Sequence, residues 1–136
     1  MVDTPQVPTL FERLGGIFGI AHIIDVLGDR LYDNDTLNRN PAVMRLHNEK
    51  GRPGFKFTLI AWMIEQTGGP KVYPGADMRT AHANMTVSDF EFDVVLMEAA
   101  GVLTYCGVPQ QEHKDLMAVL ESVRDDVRAG SKEDRA

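Results

Sequence analysis

Apolar positions along this chain recur at helical spacing and nowhere alternate, so the pattern predicts helices and no strands. Thr9 and Glu12 form a capping box ahead of Leu10, Phe11 and Leu14, and Gly15-Gly16 stops that short helix. From Ile17 to Tyr32 the residues Ile17, Ile20, Ile24, Leu27 and Leu31 share one stripe, with His22 on the opposite side. Residues 33–41 carry turn chemistry, 42–46 are read as one further turn, and the Gly-, Pro- and charge-rich stretch 47–54 as a loop. The helix that follows has Phe55, Leu59, Trp62 and Met63 on one face and Phe57, Ile60 and Ile64 on nearly the opposite one. A helix apolar on two sides is expected to be buried on two sides. Thr67-Gly68-Gly69-Pro70 ends it.

A later helix, capped by Thr86 with Asp89 or by Ser88, runs to about Tyr105. It also has two apolar faces, Phe90, Val94, Met97 and Gly101 on one and Phe92, Leu96, Ala99 and Leu103 on the other. Gly107-Val108-Pro109 starts a last helix reaching about Val127, with Leu116, Met117, Leu120 and Val123 inward. Residues 1–8 are read as a polar arm, 9–128 as one domain and 129–136 as a polar tail. The expected fold class is all-α.

Composition narrows the function classes. A chain of 136 residues is one domain with room for one ordinary core. A net charge of −6 argues against nucleic acid, which needs a basic face. No apolar run is long enough to span a bilayer, and the N-terminus lacks the pattern of a secretory signal, so a cytoplasmic setting is expected. Cys106 is alone, which excludes an internal disulfide and a thiolate cluster and suits a small buried hydrophobe. Asp25, Asp29 and Asp33, four apart, are read as a solvated helix edge. A nitrogen-ligated metal has four histidines to choose from: His22, His47, His82 and His113. Of these, His22 is read as solvated and His113 as structural.

The stretch 67–85 concentrates the candidate chemistry. Met78, His82 and Met85 are spaced to share one helical face, with Lys71 and Arg79 as nearby cations and Tyr73 as a hydroxyl. Spacing alone fits a core or capping histidine as well as a metal ligand.

These residues sit in a wider set of motifs: LFERLGG at 10–16, TGGP at 67–70, YPGADMRTAH at 73–82 and GVP at 107–109. Together they make the chain, over about residues 9–128, resemble the truncated globins, most closely the group I type. The resemblance implies a two-over-two helical sandwich, helices B, E, G and H of the globin scheme, enclosing haem b (iron protoporphyrin IX). It implies that His82 is the proximal iron ligand and that Tyr73, Met78 and Arg79 contact the haem. Phe55, Leu59, Trp62, Met63, Phe90 and Val94 are the candidate haem-facing residues. The expected function is binding of a diatomic gas (O₂, NO or CO), for oxygen transport or nitric-oxide detoxification with a reductase, in a monomer or weak homo-oligomer. Nitric-oxide dioxygenase activity leaves enzyme status open.

The chain departs from the family pattern on the distal side. Aligned without gaps, the B-helix position where relatives often carry tyrosine falls at Gly28, and the ligand-facing E-helix positions fall at Phe55 and Leu59. Tyr32 lies one turn beyond that pocket position. His47 falls near the place where globins put a phenylalanine on the haem. It is read as a surface-loop histidine, a hydrogen-bond donor to bound gas, or a second axial ligand. The last would make a six-coordinate sensor or electron-transfer protein. A further alternative is a globin-fold interaction module that no longer holds haem.

Overall fold

A computed structural model describes residues 7–132, with side chains for 7–128. Among the described residues there are helices and no strand: α1 (Leu10–Arg13), α2 (Gly16–Tyr32), α3 (Asp35–Asn38), α4 (Pro41–Gln66), α5 (Met78–Ala81), α6 (Asp89–Tyr105), α7 (Gln110–Glu121) and α8 (Arg124–Lys132). The expected capping box starts α1, with the Glu12 N–H donating to Thr9 Oγ1 at 3.1 Å. The corner between α1 and α2 is very tight. A Cβ built on Gly19 would sit 1.9 Å from the Leu14 carbonyl oxygen. The Phe11 N–H donates to the Thr67 carbonyl at 2.8 Å and Arg13 pairs with Asp115 at 2.9 Å, tying α1 to the end of α4 and to α7.

The stripe on α2 is buried from Ile20 through Leu31 and gains Ile23. Ile17 departs from expectation at 48% exposed, because the α1–α2 corner closes on Gly19 and leaves Ile17 outside.

The expected loop at 47–54 does not exist. Asn40 caps α4 by accepting from the Ala42 N–H at 3.0 Å, Pro41 takes the first position, and the chain stays helical to Gln66 with one kink. The kink is at Gly51, with φ 70° and ψ 167°, a conformation that favours glycine. Pro53 sits in the opening turn after that break, where a missing N–H costs little. Past the kink, Arg52 pairs with Asp29 at 3.0 Å and Asp33 at 2.6 Å, and Lys56 with Asp25 at 2.7 Å and Asp29 at 3.0 Å. The aspartate edge of α2 is therefore a clamp onto α4 rather than a merely solvated face. Exposed pairs of this kind contribute about 0–1 kcal/mol each.

Ser88 caps α6 in a second capping box, accepting from the Glu91 N–H at 3.1 Å. Only one of its two apolar faces is buried, that of Phe92, Ala99, Val102 and Leu103. Phe90 and Met97 stay 66% and 72% exposed, so two-sided burial fails for α6; on α4 it holds, with Ile64 buried and Ile60 packed on the core on the second face and Phe57 at its outer edge exposed. The last helix is two helices, broken at Ser122-Val123. α8 carries helix into the stretch expected to be a polar tail, while residues 1–6 and 133–136 lie outside the described residues. Arg124 holds α8 in place through Glu121, Asp93 and Asp89 and covers the Phe92 ring at 4.7 Å. α2 packs across α4 and α6, and α6 across α7, around Ile20, Ile24, Met63, Val102, Leu103 and Leu116.

Candidate functional site

A largely apolar cavity of about 430 Å³ lies among α2, α4, α5, α6 and the α7–α8 pair. One wall is α4, which contributes Phe55, Leu59 and Trp62 after the kink and His47 before it. Leu31 comes from α2, Phe92 and Val95 from α6, and Leu120 from α7. The opposite boundary is the segment 73–87, carrying Tyr73, Met78 and His82.

α5 is a single turn that ends on His82 as its C-cap. His82 Nδ1 lies 2.8 Å from the Met78 carbonyl oxygen. A carbonyl only accepts, so Nδ1 carries the proton and the neutral ring keeps its lone pair on Nε2. Burial holds the imidazole below its ordinary pKa and so keeps it neutral, with the Met78 carbonyl opposing weakly. The chain after His82 is strained: Asn84 and Thr86 have φ of 64° and 50°. Such residues cost on the order of 1–3 kcal/mol each unless their surroundings hold them. Here Asn40 Nδ2 donates to the Met85 carbonyl at 2.8 Å, and Met85 and Val87 are carried to the cavity wall.

The Tyr73 hydroxyl is used inside its own loop, donating to the Ala76 carbonyl at 2.6 Å. On the far side, His47 is 4% exposed, not a surface-loop residue. Its ring stacks on Tyr32 at 4.6 Å and meets Phe55 edge-on at 4.8 Å, and Nδ1 is buried with no hydrogen-bond partner.

Phe55, Leu59, Trp62, Tyr73, Met78 and His82 are thus brought together with His47. Met63, Arg79, Phe90 and Val94 are not among the cavity residues. Met63 is fully buried in the core, and Arg79 is exposed on α5. Phe90 points outward; Phe92, about 200° further round the helix, takes the inward place, and Val95 replaces Val94. Gly28 is also misplaced by the gapless count. It faces Lys56, whose Cγ lies 2.7 Å from a Cβ built there, and α2 meets the cavity three residues later at Leu31. Phe92 was legible on one of the apolar sides of α6, but nothing in the spacing chose between those sides, and Val95 belonged to neither. His113 lines a separate depression at the α6–α7 turn with Thr104, Gly107 and Lys114.

Both cavity histidines are held below the ordinary value of 6.5, chiefly by burial. Between that value and the lower folded one, the unfolded chain binds more protons, so stability rises with pH. The urea midpoint is expected to fall as the pH drops below about 6.5, and to fall less in His47→Phe. Equal pH dependence in the two proteins would mean that the His47 ring is solvated.

A family model for bacterial-like globins matches residues 9–129. The group 1 truncated hemoglobin of Tetrahymena thermophila is 27% identical over 120 residues, covering 88% of this chain and 93% of that protein. Group 1 truncated hemoglobin GlbN of Mycolicibacterium paratuberculosis is 20% identical over 122 residues, covering 90% and 85%. The crystal structure of truncated hemoglobin from Tetrahymena pyriformis in the Fe(III) form matches with a TM-score of 0.71 at 21% identity, covering 88% of this chain and 97% of that one. The 2/2 hemoglobin from Synechococcus sp. PCC 7002 in the cyanomet state matches with a TM-score of 0.71 at 22% identity, covering 89% and 98%.

Proposed function

We propose a haem-based role on this premise: the chain belongs to the bacterial-like globin family and has the two-over-two fold of the truncated hemoglobins. Haem, the cofactor the family implies, supplies when bound an iron that coordinates a diatomic gas. The residues present fit that group. The cavity is walled by Phe55, Leu59, Trp62, Phe92 and Val95, and one neutral imidazole at its edge has a fixed tautomer.

His82 is the proposed proximal ligand, and its hydrogen bond to Met78 carries the reading. Metal-ligating histidines almost always give their other ring N–H to an acceptor, which fixes the ring and raises its basicity. Lys50, at the cavity edge, and Arg79, on α5, are the cations proposed for the cofactor's carboxylates. Cys106 is not among the cavity residues, so attachment through a cysteine thioether is not available, and haem b is the form proposed. Oxygen carriage and nitric-oxide oxidation are the two roles open to such a pocket; the second requires a reductase partner. A cytoplasmic setting belongs to the same proposal. No described helix is long and apolar enough to cross a membrane.

Adding haem to the purified chain should give a Soret band that saturates at one haem per chain. No band would overturn the reading and leave a helical interaction module. Leu59 lines the wall without a polar atom, so Leu59→Gln adds a donor beside the bound gas. Oxygen release, followed by displacement with CO, is expected to slow by roughly ten- to a hundred-fold. An unchanged release rate would mean that Leu59 does not face the gas.

A further inference from the structure

We infer that His47 is the cavity's hydrogen-bond donor to bound gas, through its Nε2–H, and not a second axial ligand. The inference rests on the haem-binding reading above and decides how that pocket treats its ligand.

The His47 ring is fixed by its neighbours. Tyr32 stacks on it at 4.6 Å with planes 21° apart, and Phe55 meets it edge-on at 4.8 Å. The Tyr32 hydroxyl donates to the His47 backbone carbonyl at 3.2 Å. Arg52, itself held by Asp29 and Asp33, covers the Tyr32 ring at 4.6 Å. Arg52 and Tyr32 are therefore positioning residues for His47.

The tautomer follows from the hydrogen bonds. Burial keeps the ring neutral, against a weaker pull from Asp33. A neutral imidazole has one N–H and one lone pair. Nδ1 is buried and unpartnered. An orphaned buried N–H is rarer in folded proteins than an under-satisfied acceptor, and it leaves a desolvated donor without compensation. The proton therefore belongs on Nε2, and Nδ1 keeps the lone pair.

This is the reverse of what an iron ligand needs. Ligation through Nε2 requires its lone pair and puts the proton on Nδ1, where a ligating histidine has an acceptor. His82 has that acceptor in the Met78 carbonyl; His47 has none. The cavity's hydroxyls are already committed, Thr58 to the Gly54 carbonyl at 2.9 Å and Tyr73 to the Ala76 carbonyl at 2.6 Å. Phe55 and Leu59 bring no donor. Besides the Lys50 ammonium and the Trp62 indole N–H, the Nε2–H of His47 is the side-chain donor in the wall placed to meet a polar diatomic ligand, and it is the one whose ring its neighbours fix on two sides.

The test uses the haem-loaded protein. Gas-free ferrous protein should show five-coordinate bands. In the CO form, His47→Leu should raise the C–O stretching frequency and His47→Gln, which keeps a donor, should hold it near the wild-type value. Oxygen should leave His47→Leu roughly ten- to a hundred-fold faster. Nitrogen-15 spectra of the wild-type CO form, which need no variant, should show the His47 proton on Nε2. Six-coordinate ferrous bands that vanish in His47→Leu would overturn the inference. So would a C–O stretch identical in the wild type and His47→Leu, or a proton found on Nδ1. Absence of a Soret band in the wild type would instead remove the haem reading beneath it.

Discussion

Replacing His82 with alanine is expected to abolish stoichiometric haem uptake while leaving a folded chain. The cavity walls by themselves are greasy and unspecific, so they can hold a flat apolar molecule but cannot bond its metal. His82 is placed to supply that bond. It is the C-cap of a one-turn helix, its Nδ1–H is anchored 2.8 Å from the Met78 carbonyl, and burial keeps it neutral. Losing a side chain that is only partly buried should change the urea midpoint of the haem-free protein little. Added imidazole should occupy the vacated space and restore a Soret band in His82→Ala, which separates a lost ligand from a damaged fold. Normal uptake by the variant without imidazole would rule out His82 as the ligand.

The largest expected loss of stability is at Gly19, far along α2 from the cavity. Alanine in a helix interior is ordinarily favoured over glycine by about 1 kcal/mol. Here the added methyl would meet the Leu14 carbonyl oxygen at 1.9 Å, and a backbone atom has no rotamer to escape into. Overpacking of this kind costs about 1–3 kcal/mol and sometimes more. The shift also drags on the Phe11–Thr67 hydrogen bond that joins α1 to the end of α4. Gly19→Ala should therefore lose about 2 kcal/mol or more net, read as a lower thermal midpoint in both haem-free and haem-loaded protein. An unchanged or raised midpoint would show that the corner opens freely.

What could be read from the chain was mostly local. The capping boxes at Thr9 and Ser88 need only two residues three apart, and both are formed. The motifs from Leu10 to Pro109 pointed to the globin family, which the match over residues 9–129 shows. What could not be read depended on packing. Gly51, Pro53 and Gly54 together look like a loop, yet one unusual φ at Gly51 is enough to keep helix on both sides. Both sides of α6 are apolar, and periodicity cannot say which meets a partner, so Phe90 was preferred to Phe92. The seclusion of His47 needs an ordered α4 before the kink and Tyr32 stacked on it, and neither is visible in the local sequence.

The bend at Gly51 separates two properties of the pocket. In an unbroken helix, eight residues would set Phe55 about 12 Å along the axis from His47, but their ring centres lie 4.8 Å apart. The bend thus folds the half of α4 that carries His47 back toward the half that carries Phe55. A one-residue insertion or deletion in the helical turn between His47 and Gly51 would swing His47 by about 100° while Phe55, Leu59 and Trp62 kept their places. A lineage can therefore exchange a polar ceiling for a greasy one by slippage at a single joint, without redesigning the enclosure.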